Sequence, residues 1–440
     1  MLLIYSNKTN NRIKYIFNLI FRDLLKIEYS ITSRISEFRN YEGPKINYSF
    51  QQFSDELFFY SSNLLFETGI KQQNIDKVIY DGIKCPFAVY KNSALPFDPF
   101  AAAFYLTTRY EEYLPYRKDL YDRFDASESI AYKLGFLKKP VVNIWANKIA
   151  EIISGRFPSF IFPKRNYSFI PTIDIDAAWA YTQKGLVRTA AGYLKSLTEL
   201  DFKEISDRTK VVFGPKKDPF DTFEFQFHLQ SKYNLKPIYF ILFAEYGQYD
   251  KNIHVFNKKF HALIKSIADY AEVGIHPSFA SNTFPKKLFK EIELLSNVLN
   301  REVIRSRQHF LKLSFPTTFR NLIEADIQQD YSLGYASETG FRAGICDPFY
   351  FYDLDLETET HLKLFPFALM EGTLRDYMNI SALDAMNHIK PIIDEVKAVN
   401  GTFISLWHNE SMSNQKRWIG WHIVYEDMIK YALPKQITQI

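Results

Sequence analysis

From residue 166 onward, short apolar runs alternate with longer segments of helical period, and this alternation limits the fold more than any other feature. The runs fall at 168–173, 238–243, 272–275, 303–306, about 331–333, 362–369 and 402–407. Helical patterns lie between several of them, at 257–270, 286–300, 316–325 and 382–399. Seven strands alternating with helices predict a parallel sheet or a β/α barrel. The long interval after the first run predicts an insertion around 180–230, on the side of the sheet where such insertions shape sites. The first 165 residues read as a smaller α/β unit, with strands at 2–5, 56–61 and 77–80 and helices at 11–26, 97–114 and 141–154. Residues 156–165 carry Pro158 and Pro163 and predict the boundary between units 1–165 and 166–440.

Chemistry-bearing residues gather where the runs end. The first ends in Asp174-Ile175-Asp176, two carboxylates that alternate to the same side of a strand. Like charges that close must be neutralised, raised in pKa or bound to a cation. A solvated turn or a helix N-cap would also accommodate them. His276 follows the third run, Arg307-Gln308-His309 the fourth, and Trp407-His408-Asn409 the last. In a β/α barrel these ends meet on one face, where active sites form. Histidines on three such ends favour a site over a turn. One aspartate with two or three histidines suits Zn²⁺ most, with Co²⁺, Ni²⁺ or Fe²⁺ as alternatives. The other six histidines read as structural. Glu371 follows a strand and reads as support behind a ligand or as a helix N-terminal acid.

The order of these motifs resembles the NodB-homology polysaccharide deacetylases over about residues 166–431. The resemblance implies a seven-stranded, distorted β/α barrel that removes acetyl groups from N- or O-acetylated sugars. It implies Asp174 as general base, Asp176 and His276 as metal ligands, Arg307 as the residue that orients the base, and His408 as general acid. It implies that 330–344 borders the substrate groove, with Tyr335, Arg342, Trp407 and Asn409 as candidate substrate contacts. Arg342 is equally open to a structural ion pair. The chain departs from the family pattern twice. Ala280 stands where the second histidine of a His-x-x-x-His motif is expected, and His309 stands where a proline is expected. We take His309 as the replacement ligand; the alternatives are a metal held by Asp176, His276 and water, or a site that no longer binds metal. A divalent ion so held would polarise an acetyl carbonyl and acidify water. A catalytically silent glycan-binding protein and a hydrolase of a non-sugar amide are the alternatives.

Composition excludes other classes. The formal net charge is only +4 and no Lys/Arg block resembles a nucleic-acid footprint. No run of apolar residues reaches membrane-spanning length. The apolar start at residues 1–5 is too short for a signal-peptide core, so a cytoplasmic location is expected. The two cysteines, Cys85 and Cys346, are far apart, which argues against a cysteine zinc site or a disulfide scaffold. The expected partner is an acetylated glycan; the sequence leaves the oligomeric state open.

Overall fold

The computed structural model describes residues 1–434. The apolar start becomes β1 (Leu2–Ser6), buried on both faces. It is central in a parallel sheet ordered β2 (Tyr29–Thr32), β1, β3 (Lys45–Ser49) and β4 (Leu57–Tyr60). A separate hairpin pairs β5 (Lys77–Tyr80) with β6 (Ile83–Pro86). The Asn10 side chain caps the first helix by accepting from the Ile13 N–H at 2.9 Å. The helix expected over 97–114 is shorter, Pro99–Thr107, with Asp98 accepting from the N–H groups of Phe100 and Ala101. It stops because Arg109 turns left-handed, at φ 53°, to bury its guanidinium against Glu111 and Glu112.

The second half builds one sheet from nine strands. These are β7 (Ser168–Ile175), β8 (Ile238–Ile241), β9 (Glu272–Ile275), β10 (Arg305–Ser306), β11 (Gln329–Asp330), β12 (Phe349–Asp353), β13 (Thr358–Leu364), β14 (Leu369–Met370) and β15 (Thr402–His408). Their order is β12-β13-β11-β10-β9-β8-β7-β15-β14, and every neighbouring pair is parallel except β12 with β13. The ladder counts nine strands where seven were expected, and among the described residues no strand pairing joins β12 or β13 to β14. The single strand expected at 362–369 divides in two, because Pro366 has no N–H to continue a ladder. Its halves lie at opposite ends of the sheet, β13 on β11 and β14 on β15. The strand expected near 331–333 ends earlier, at Asp330, whose carboxylate takes hydrogen bonds from the Ser306 and Ser332 hydroxyls and the Ser332 N–H.

The stretch 157–167 is irregular, yet the regions on either side of it share an apolar core. Polar ties cross between them as well. Arg12 donates to Glu357 at 2.9 Å, and Asn143 donates to Asp347 at 2.6 Å. The predicted insertion contains three helices, Gly185–Thr198, Phe202–Val212 and Phe223–Tyr233. Among the described residues, no helix is long and apolar enough to cross a membrane.

Candidate active site

Alternation along β7 aims Thr172, Asp174 and Asp176 to one side, the last just beyond the strand. β15 lies directly alongside, with His408 opposite Asp174, and β8 flanks the other edge with Phe240 opposite Asp174. His276 follows β9 and continues its ladder, donating its N–H to the Ile241 carbonyl at 2.8 Å. The strand ends enclose a pocket of about 210 Å³ that contains Asp174, Asp176, His276, His309 and His408.

Ligand-type atoms of Asp176, His276 and His309 lie within 4.8 Å of one another. The Asp176 carboxylate is 3.3 Å from His276 Nε2 and 3.6 Å from His309 Nε2. Each ring is held from behind through Nδ1. His276 faces the Arg307 carbonyl, and His309 faces Asp250 at 2.8 Å. Such backing leaves Nε2 free to point inward, as metal-ligating histidines require. His309 reaches the site because Phe310 and Leu311 both adopt left-handed conformations, at φ 59° and 55°, and turn the chain sharply after it. Two adjacent non-glycine residues in that region store strain.

Asp174 borders this group, with Oδ2 3.8 Å from His276 Nε2, while its other oxygen is bound by Arg307. The guanidinium donates to its Oδ1 at 2.9 Å, to Thr172 Oγ1 at 2.7 Å and to the Tyr331 carbonyl at 3.0 Å. It rests on the Phe240 ring, 4.5 Å from its centroid. Gly274 makes room for that ring, since a Cβ there would come within 2.8 Å of it. On the opposite wall, Glu371 accepts from both the His408 N–H, at 2.8 Å, and Nδ1, at 2.9 Å. His408 Nε2 is 4.0 Å from Asp176.

The electrostatics bear on whether a cation fits. Burial would raise the Asp176 carboxyl, but His309, His276 and His408 hold it well below the usual carboxylate range. Burial would lower the His309 imidazole, but Asp176 and Asp250 push it up to about 9. His408 is likewise lowered by burial and raised more by Glu371 and the two aspartates, to about 10. Asp176 thus draws positive charge to itself, a place for which imidazole protons and a divalent ion would compete. Asp176 Oδ1 is buried without any hydrogen-bond partner, although the rest of the side chain is partly exposed. A carboxylate whose two oxygens each face an inward imidazole nitrogen, one of them without a hydrogen bond, fits a divalent cation.

Four expected substrate contacts do not line the pocket. Arg342 is buried in a bidentate pair with Glu112, at 2.9 and 2.6 Å, so it ties the two halves of the molecule together. The Tyr335 hydroxyl is buried and accepts from Arg109 at 3.1 Å. Trp407 points away from its neighbours Leu406 and His408, which do line the pocket, and packs on Trp421 and Tyr425. Asn409 Nδ2 donates to the carbonyls of Ala177 and Phe220. Ala280, in the turn after His276, supplies no ligand atom. Other pocket residues carried no signal in the sequence. Arg123, from the N-terminal region, lines the mouth and donates to the Phe310 carbonyl at 3.0 Å and to the Tyr377 hydroxyl at 3.2 Å. Arg417 and Trp418 also line the pocket, and Asp250, which stands behind His309 rather than in the lining, has no motif around it.

Residues 2–158 match a family of unknown function (DUF7033). No curated protein matches the sequence. Among solved structures, the chain is similar to a protein from Mycobacterium smegmatis assigned to the polysaccharide deacetylases. The two are 13% identical with a TM-score of 0.42, over 63% of this chain and 87% of that one. It is also similar to a polysaccharide deacetylase from Bacillus cereus, at 12% identity and TM-score 0.29 over 60% and 88% of the two chains. A CE4 family pseudoenzyme from Bacillus anthracis is similar at 12% identity and TM-score 0.25, over 60% of this chain and 61% of that one. At these identities, substrate and activity have to be argued from this chain's own side chains.

Proposed function

We propose that this protein is a divalent-metal-dependent hydrolase that removes an acetyl group from an N- or O-acetylated glycan. One observation carries the reading. Asp176, His276 and His309 converge as a ligand set, while Asp174, two residues from Asp176 and 3.8 Å from His276 Nε2, has its Oδ1 taken up by Arg307. Two adjacent carboxylates in such different company suit two different tasks. Asp176, His276 and His309 would hold the cation, Zn²⁺ being the best match to two imidazoles and one carboxylate. When bound, the ion supplies Lewis acidity to an acyl carbonyl and to water.

The chain's own groups do the proton work. Asp174 accepts a proton from the attacking water, and the Arg307 guanidinium keeps its carboxylate aimed. His408, protonated and backed by Glu371, donates to the departing amine or alkoxide oxygen. Arg123, Tyr377 and Trp418 at the rim meet the sugar. Residues 1–165 form a unit that completes the mouth of the site, through Arg123.

Metal analysis of the purified protein, paired with an acetate-release assay, tests this. Asp176→Ala and His276→Ala should lose the ion, and Asp174→Asn should keep it and lose turnover. A protein that binds no divalent ion sinks the hydrolase reading. The replacement of a ligand histidine by Ala280 favours a second reading, a glycan-binding protein without turnover. Saccharide affinity that survives both chelator and Asp174→Asn, with no acetate released, would select it.

A further inference from the structure

A second cavity, of about 630 Å³, adjoins the catalytic pocket and shares Glu410, Arg417 and Trp418 with it. The insertion helices Gly185–Thr198 and Phe202–Val212 form much of its wall. Cations dominate the lining, and its two carboxylates are already engaged. Glu204 is shared between Arg208, at 3.2 Å, and Lys416, while Glu410 accepts from Arg417 at 2.6 Å. Lys184, Arg188 and Lys251 have no carboxylate partner among the described residues. Arg188 is spent instead on the carbonyls of Asn252 and Lys251, with its guanidinium stacked 4.2 Å from the Tyr246 ring centroid. Arg208 lies against the Gly192 backbone, where a Cβ would displace it, and its Nε is buried without a partner. Burial and the neighbouring Arg188 lower the Lys184 ammonium to about 8.

A neutral sugar gains nothing from such a field. A group with two negative charges and several acceptor oxygens satisfies it, because guanidinium and ammonium donors can converge on it from several sides. We propose that this cavity takes a phosphate-class dianion carried by the substrate, next to the sugar whose acetyl group enters the metal pocket. The link to the acetyl group rests on the hydrolase reading; the anion site itself does not. The phosphate has two possible carriers, a soluble sugar phosphate or a lipid-borne one. The helix Gly185–Thr198 exposes Leu186, Val187 and Leu194 to solvent, which makes the lipid arm worth including.

Titration calorimetry of the full-length, metal-loaded protein with inorganic pyrophosphate tests the site. Wild type should bind, and Lys184→Gln/Arg188→Gln should weaken affinity at least tenfold. Lys195→Gln, on the same wall, should weaken it less, and Lys203→Gln, outside the cavity, should leave it unchanged. No binding at millimolar pyrophosphate, or affinity unmoved by the double variant with its melting temperature intact, overturns the proposal. Pyrophosphate binding lost in the double variant, in a protein that releases no acetate from any sugar, sinks the hydrolase reading and keeps the anion site. Acetate release from an acetylated sugar 1-phosphate in solution, set against the same headgroup on a lipid in phosphatidylcholine vesicles, separates the two carriers.

Discussion

The two cavities that meet at Arg417 and Trp418 handle charge in opposite ways. In the Asp/His pocket three ionisable groups have a partner behind them: Arg307 behind Asp174, Asp250 behind His309, Glu371 behind His408. In the neighbouring cavity Lys184 and its fellow cations face one another with few counter-charges. The first is preassembled, its geometry over-determined by buried hydrogen bonds. The second is completed only by what enters it. Preassembly suits chemistry, where donors and acceptors must stand in place before the reaction. An uncompensated field suits recognition, where the ligand supplies the missing charge.

The largest effect that sharpens this contrast is expected at Asp174. Asp174→Asn should lower acetate release by roughly 10²- to 10⁴-fold, the usual worth of a general base, while bound metal stays at wild-type levels. Loss of metal in that variant would place Asp174 among the ligands instead. Next is Glu291, which supports the loop after His276 by accepting from the Ser278 N–H and hydroxyl. Burial pushes its carboxyl up to about 7. A raised carboxyl stabilises the fold only while protonated. Its contribution is complete below about 4.5 and is lost as pH rises through 7, by up to ~3 kcal/mol. Glu291→Gln should flatten that part of a stability–pH profile followed by denaturant unfolding. A profile identical to wild type between pH 4.5 and 7 rules this out.

Asp250→Asn should weaken metal affinity about 10- to 100-fold, the range for an outer-shell partner of a ligand histidine, as read by competition with a chromogenic chelator. An unchanged affinity would show that His309 does not bind the ion. The smallest effect separates the cavities most directly. Lys184 has a lowered pKa, so its charged form is penalised below about 8 and the penalty fades as pH rises toward its ordinary value. Lys184→Gln should therefore raise stability at pH 7, seen as a higher melting temperature. Destabilisation by that variant would mean the cavity is as fully compensated as the pocket.

Much of the site was legible from residue order alone. Asp174, Asp176, His276 and His408 fall at strand ends, and period-two alternation together with parallel pairing brings strand ends together. His309 could be named from its place beside Arg307. The residues that back these groups were less legible. Glu371 follows a strand and could be suspected, whereas Asp250 lies in a loop whose path has no local signature. Arg342 took the ion-pair reading that the sequence left open, Trp407 follows strand alternation away from His408, and Tyr335 and Asn409 are engaged elsewhere. Nearness in sequence to a motif says nothing about which side of the backbone a residue faces once a bend or an ion pair intervenes. Arg342 illustrates this, drawn inward by Glu112 from 230 residues away.

The amino-acid sequence by itself determined the alternating strands and helices, the boundary of the insertion near 180 and the gathering of carboxylates and histidines at strand ends. These follow from periodicity and local stereochemistry, which act over a few residues. Tertiary structure alone decided which neighbours β13 and β14 take on either side of Pro366, that Arg123 of the N-terminal region enters the mouth, and that the insertion's cations enclose a cavity beside the pocket. Each depends on long-range packing, where the cost of leaving a buried group unpaired selects among arrangements that the local pattern leaves equal.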